Sequence, residues 1–279
     1  MSLTYDDMPI GLPNIGNSCW LNSLLQTLSR SDEFVNAILQ DRDNGLMHGM
    51  LANLFDAMDA KDREKILEAY RAFHGYVLQM HPIFRENSQN DSHEVLTYLI
   101  NALHKEVARP VPDEIIATLD PMSKSILRDF SNTVSKVLET TLVCTSRVTS
   151  DNLVVYETYN TLFVEPLDIG NGMYSVQEAL HKIKFASVPK VLFMSLMMSD
   201  SAQCKFVFDI ALADKKYRLS TIIFFIPQVN HYITAVRRRR MSEEEPQGWY
   251  MMNDHMCNYI TSEQLFSNIR AYPTLISYE

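Results

Sequence analysis

An α+β fold is predicted by a change of pattern halfway along the chain. Residues 20 to 139 carry apolar side chains at helical spacing, and residues 140 to 279 carry β-branched and aromatic side chains in short runs. No regular strand–helix alternation joins the halves, which argues against a doubly wound parallel sheet. The chain has 279 residues and 46% hydrophobic content, enough for a sizeable core.

The first helix starts near Cys19. Trp20, Leu21, Leu24, Leu25 and Leu28 form one apolar stripe, and Gly11, Pro13 and Gly16 mark an irregular loop before it. Asn44-Gly45 marks a turn, and helices follow over Leu46–Met58 and Ile66–Leu78. Ser88-Gln-Asn-Asp91 reads as a capping box, so another helix starts near residue 90. Ile115–Leu138 is helical with an interruption at Pro121. Strand-like sequence covers Val154–Val164, Val191–Met197, Lys205–Leu212, Ser220–Ile226, Tyr232–Val236 and Trp249–Met252, with one short helix over Ser175–Ile183.

The formal net charge is -9, which argues against nucleic acid as the main partner. It fits either a basic partner or plain solubility. Cysteines stand only at 19, 144, 204 and 257, too sparse for a disulfide framework. The first ten residues lack the basic and apolar regions of a signal peptide, and the longest apolar run, Ile222–Ile226, is far short of a membrane span. A soluble, monomeric protein of the cytoplasm or nucleus is expected. Arg237–Arg240 followed by Glu243–Glu245 reads as a solvated hairpin.

A thiol at a helix start is a candidate nucleophile, because the N-terminal dipole favours the thiolate. Position alone does not separate that role for Cys19 from a buried structural one. The surrounding residues do. Gly11-Leu-Pro-Asn-Ile-Gly-Asn-Ser-Cys-Trp-Leu-Asn-Ser-Leu-Leu-Gln-Thr-Leu28 resembles the cysteine box of the ubiquitin-specific proteases, G-L-x-N-x-G-N-T-C-Y-x-N-S-x-L-Q-x-L. Gly11, Leu12, Asn14, Gly16, Asn17, Cys19, Asn22, Ser23, Leu25, Gln26 and Leu28 match; Ser18 replaces Thr and Trp20 replaces Tyr.

His231-Tyr-Ile-Thr-Ala-Val and, 18 residues on, Trp249-Tyr-Met-Met-Asn-Asp254 resemble that family's histidine box. Phe84 to Leu96 resembles its F-x-x-x-x-Q-x-D-A-x-E-F-L segment, and Pro189–Leu196 its P-x-V-L-x-I-x-L strand. The resemblance implies a papain-like catalytic domain spanning 1–279. A helical thumb would occupy about 1–139, reduced β fingers 140–188 and a β-rich palm 189–279.

It also implies the roles. Cys19 attacks the carbonyl of ubiquitin's terminal glycine, and His231 is the base. Asn253 orients the ring through Nδ1, Asp254 assists, and Asn14 donates to the oxyanion. Asn14 read alone also fits a loop-capping residue, the lesser of the two readings. Gln89, Asp91, Trp20 and Tyr232 would bind the substrate tail, Leu-Arg-Leu-Arg-Gly-Gly, whose arginines suit an acid. Asp91 read alone caps a helix, and both roles can hold together.

Two departures stand out. Asn230 replaces the glycine before the histidine, and the loop Phe224–Asn230 has no glycine. The family's paired C-x-x-C zinc ligands are reduced to Cys144 at the first pair and nothing at the second, so no zinc and no cofactor are expected. The alternatives are the same mechanism on a ubiquitin-like modifier such as SUMO or NEDD8, and an inactive ubiquitin-binding module.

Overall fold

The computed structural model describes residues 8–80, 83–84, 90–171, 173–197, 203–238, 248–267 and 271–279. The Arg239–Arg240 and Glu243–Glu245 parts of the expected charged hairpin lie outside them.

The helical half contains α1 (Cys19–Ser29), α2 (Asp32–Gln40), α3 (Leu46–Asp59), α4 (Arg63–Met80) and α5 (Ser92–Val107). A two-residue strand pair, β1 (Arg109–Pro110) with β2 (Thr133–Val134), brackets α6 (Asp113–Thr118) and α7 (Pro121–Asp129); α8 (Lys136–Thr141) follows. The helix expected to continue to Leu138 therefore breaks at β2, where Ser131 and Asn132 take left-handed φ of 54° and 57°.

The strand half comprises β3 (Val143–Val148), β4 (Val154–Tyr159), β5 (Leu162–Val164), β6 (Leu167–Asp168), β7 (Met173–Ser175), α9 (Val176–Leu180) and β8 (Phe185–Ser187). Then come β9 (Leu192–Leu196), β10 (Gln203–Lys205), β11 (Asp209–Leu212), β12 (Lys215–Ile226) and β13 (His231–Arg237). The chain ends with β14 (Gly248–Asn253), β15 (Met256–Thr261), α10 (Ser262–Ser267) and β16 (Tyr272–Tyr278).

An eight-stranded sheet is ordered β15-β14-β13-β12-β16-β9-β5, with β11 also paired to β12. Only β5 and β9 run parallel within it. Strand β5 falls in the stretch assigned from sequence to the fingers, yet it pairs with β9 of the large sheet, so a single cut at 188 does not divide the two regions. The strands β4-β3-β8 form a separate small sheet, and β10-β7-β6 another.

Helix α1 sits at the centre. A single apolar stripe was expected, but every residue from Cys19 to Leu28 is buried. Some of its polar atoms find partners: Asn22 Nδ2 donates to the Pro13 carbonyl at 3.2 Å and Gln26 Nε2 to the Ile10 carbonyl at 2.7 Å, whereas Asn22 Oδ1, Gln26 Oε1 and Thr27 Oγ1 have none. Each pairing offsets part of the cost of burying a polar group. On one side α1 packs against α5; on another it packs against β13, where Thr234 Oγ1 donates to the Ser23 carbonyl at 3.1 Å. The α1–β13 contact joins the two halves and sets the distance between Cys19 and His231.

The pattern reading passed over α2, although Ser31 caps it by accepting the Phe34 N–H at 3.1 Å and Asp32 and Glu33 fill its first turn. Its partner α3 is capped from afar: both oxygens of Glu106 accept its first N–H groups, from Met47 at 2.7 Å and His48 at 3.1 Å.

Candidate active site

The N-terminal segment crosses the turn after β14 before entering α1. Leu12 donates its N–H to the Asp254 carbonyl at 2.9 Å. The approach at Gly11 is so close that a Cβ would lie 2.3 Å from the His255 carbonyl carbon and 2.6 Å from the Asp254 oxygen. Gly16 (φ 98°) and Asn17 (φ 47°) then turn the chain through left-handed backbone into α1. That places Cys19 at the first helical position.

His231 arrives from the other half on β13. Ile226 pairs with His231 across the β12–β13 ladder, so only Pro227–Asn230 connect the strands. Pro227–Val229 form a single 3-10 turn, and Asn230 (φ 49°) donates its N–H to the Pro227 carbonyl at 3.2 Å. Asn tolerates this left-handed conformation better than most residues, which is how the chain dispenses with glycine here.

Asn253 ends β14, the neighbouring strand. Its Oδ1 lies 2.8 Å from His231 Nε2, so Nε2 donates. Orientation through Nδ1 was expected and is corrected. Asn253 reaches the ring edge that faces the adjacent strand, and Nδ1 is left for the thiol. With Nε2 protonated, Nδ1 of the neutral ring is the nitrogen that accepts a proton.

Asp254 (φ 49°) lies 3.9 Å from His231 Nε2, too far for a hydrogen bond. Its carboxylate is engaged elsewhere. Oδ1 accepts from Asn22 Nδ2 at 2.7 Å and Oδ2 from Asn14 Nδ2 at 2.9 Å. Asn14 is also held at its other end, where the Ser18 N–H donates to Oδ1 at 3.3 Å. Asn22 matched the cysteine box but carried no role in the sequence reading; its contact with Asp254 lies 232 residues away in sequence.

Burial alone would raise the Cys19 thiol pKa. The hydrogen bond to the His231 side chain and another from the Tyr232 backbone N–H outweigh it, and the net shift is downward. The same bond raises His231 to about 9, against burial and with help from Asn253. The other cysteines lack such partners, and burial raises all three: Cys144, Cys204 to about 12 and Cys257 to about 11. Lowered thiol and raised imidazole describe a thiolate–imidazolium pair.

The sign of the pH dependence follows. Below about 9 His231 keeps its proton; above it the proton is lost. We expect kcat/KM to fall on the alkaline side with a midpoint near pH 9. Iodoacetamide alkylation of Cys19 should remain fast at pH values where an ordinary thiol is protonated. Alkylation that rises only with the pKa of a free thiol would contradict the pair.

The substrate-binding expectations fare unevenly. Gln89 and Ser88 lie outside the described residues. Asp91 is itself the N-cap of α5, accepting the His93 N–H at 2.8 Å, three positions later than a cap led by Ser88. It remains exposed, and with Glu94 it acts electrostatically on Tyr232. Tyr232 is buried with its ring 4.9 Å from Phe225. Trp20 is corrected: it is 1% exposed and packs 6.1 Å from Phe84, because α1 turns that position into the core rather than toward a channel. Beside α5, a cleft of about 560 Å³ is lined by Glu94, Tyr98, Phe130, Tyr159 and Phe163.

A zinc does not fit the residues of the expected fingers. Cys144 is buried in β3 with its thiol directed to the Thr145 carbonyl at 3.7 Å, and the chain has no other cysteine between 20 and 203.

A helix-start thiol paired with an imidazole that an asparagine contacts, set between a helical layer and a mostly antiparallel sheet, is the arrangement of a papain-like α+β fold. The family model for ubiquitin carboxyl-terminal hydrolase matches residues 10–275, and the chain belongs to that family. Ubiquitin carboxyl-terminal hydrolase 9 of Arabidopsis thaliana is 36% identical over 108 residues, 35% of this chain and 12% of that protein. Ubiquitin carboxyl-terminal hydrolase 4 of Bos taurus is 34% identical over 110 residues, 36% of this chain and 11% of that protein. The matched stretch thus spans only a small part of those relatives. Among solved structures, the SAGA Ubp8/Sgf11/Sus1/Sgf73 DUB module bound to ubiquitin aldehyde matches with a TM-score of 0.69 at 14% identity, over 99% of this chain and 70% of that one. Another structure of the SAGA Ubp8/Sgf11/Sus1/Sgf73 DUB module gives 0.67 at 17% identity, over 99% of this chain and 69% of that one. At such identities the likeness establishes the fold. No helix among the described residues is long and apolar enough to cross a membrane.

Proposed function

We propose that this chain is a thiol-dependent deubiquitinase that hydrolyses the bond after the C-terminal glycine of ubiquitin. One observation carries the reading: of four cysteines, Cys19 alone has a lowered pKa, and its partner is an imidazole fixed by Asn253. A family relative in ubiquitin-aldehyde complex supports the substrate class.

The Cys19 thiolate attacks the glycine carbonyl carbon, and the electrons move onto the oxygen. Asn14 Nδ2, with one hydrogen on Asp254, has its second hydrogen for that oxyanion. His231 gives its Nδ1 proton to the leaving amine as the C–N bond breaks. Water then attacks the thioester, its proton passing to His231, and the free carboxylate leaves with Cys19 restored. Asp91 and Glu94, at the start of α5, carry the charge that suits a tail carrying arginine, and the cleft beside Glu94 suits its leucines.

The compact Pro227–Asn230 turn favours one second reading, a ubiquitin-like modifier with a different tail, because a four-residue hairpin shapes the channel mouth differently from a glycine-bearing loop. Hydrolysis of C-terminal fluorogenic conjugates of ubiquitin, SUMO and NEDD8 decides between them. Wild type is expected to turn over the ubiquitin conjugate fastest, and Cys19→Ala none. Turnover of another modifier only would transfer the proposal to it; no turnover of any, with Cys19 alkylatable, would sink it.

A further inference from the structure

Beneath the loop that carries Asn14 lies a buried hydroxyl that nothing in the scheme above uses. Tyr70, on α4, is 0% exposed, its ring stacked 6.0 Å from His74. Its hydroxyl makes no hydrogen bond of normal geometry. A buried phenol without a partner is costly, and its retention calls for a reason. The hydroxyl faces the Ser18 side chain and stands within electrostatic reach of Cys19 and Asp254. Burial raises its pKa, so it stays a neutral donor throughout the working range.

Ser18 has room for exactly one more partner in kind: a donor. Its Oγ accepts the Ile15 N–H at 3.1 Å and donates its own proton to Asn14 Oδ1 across a stretched 3.5 Å. A hydroxyl oxygen has two acceptor lone pairs, so one remains. We propose that Tyr70 is a positioning residue: its O–H donates to Ser18 Oγ, which donates to Asn14 Oδ1, and the chain of hydroxyls strengthens Asn14 Nδ2 as donor to the oxyanion. Hydrogen bonds in series polarise one another. The Ser18–Asn14 contact is stretched at rest, and in the proposal both bonds tighten as negative charge develops at the far end, as catalytic hydrogen bonds in unliganded enzymes commonly do.

The inference rests on the proposed hydrolysis and goes beyond it by adding a residue on a helix outside every sequence match. It is tested with Tyr70→Phe in the whole chain, on the ubiquitin conjugate. We expect kcat to fall about three- to tenfold, the range for loss of one hydrogen bond, with KM unchanged. The Tm should hold or rise, since the substitution deletes an unsatisfied group. In a Ser18→Ala background the Tyr70→Phe change should cost nothing further, whereas Ser18→Thr, which keeps the hydroxyl, should preserve the effect. Wild-type kcat in Tyr70→Phe overturns the proposal. So does a loss of kcat that comes with a lowered Tm, or one that persists in the Ser18→Ala background. Absence of turnover in wild type itself would instead strike the proposed function, and this inference with it.

Discussion

Exchanging Asp254 for Asn is expected to lower kcat by a factor of about 10²–10³ with little change in KM, the loss typical of a displaced oxyanion donor. The substitution is nearly isosteric, and Asn suits the left-handed backbone at φ 49°. What it removes is an acceptor. Asp254 receives two amide donors, Asn22 Nδ2 on one oxygen and Asn14 Nδ2 on the other. An Asn side chain has one acceptor and one donor end, so one of those amides would face another amide N–H. Asn14 is then no longer held between Asp254 and Ser18. Because the defect lies at the oxyanion and not at the thiol, Cys19 alkylation and its pH dependence should stay close to wild type, apart from the loss of one nearby negative charge.

Asn253→Ala should behave differently. Its hydrogen bond helps hold the His231 proton, so removing it is expected to move the alkaline limb of kcat/KM below about 9. Equal movement of that limb in Asp254→Asn and Asn253→Ala would mean that both residues act on the ring, contrary to the 3.9 Å separation of Asp254 from Nε2.

Much of this arrangement was legible in the chain because the cysteine and histidine boxes are contiguous runs. Helix α1 announces itself by leucine spacing, and β13 and β14 by short apolar runs rich in aromatic or β-branched residues. The ring nitrogen that Asn253 meets was not legible, since it depends on how two adjacent strands offset His231 from Asn253. Nor was the burial of Trp20: a residue next to a nucleophile looks exposed until α1 is found enclosed on all sides. The sheet that strand β5 joins was not legible for a related reason. Three residues carry too little pattern to say which sheet they join, and the choice is made by β9, some thirty residues on. Strand β16 gave no usable signal, because Pro273 interrupts it and only the bulged pairing with β12 accommodates that residue. Tyr70 belongs to the same class, as its position under the cysteine loop exists only after α4 has packed.

The joint between the two boxes should be the least tolerant point of the fold. Gly11→Ala is expected to cost about 3 kcal/mol of stability, at the upper end for overpacking, because all three atoms that a Cβ would meet are backbone and cannot rotate away. That corresponds to a fall in Tm of roughly 5–10 °C for a chain of this size. The clash is with the carbonyls of Asp254 and His255, so relief requires the segment to lift from the β14 turn. Lifting breaks the Leu12–Asp254 hydrogen bond and carries Asn14 away from its acceptor. Activity measured well below the new Tm should therefore fall as well, by at least about tenfold, as expected when a positioned donor shifts by an ångström. Gly75→Ala supplies the contrast. It lies within α4 with nothing inside 4 Å of its would-be Cβ, so it should raise stability by about 0.5–1 kcal/mol and leave kcat unchanged. Equal Tm values for Gly11→Ala and wild type would show that the crossing has slack, and that Asp254 alone, without the close backbone approach, keeps the cysteine loop in place.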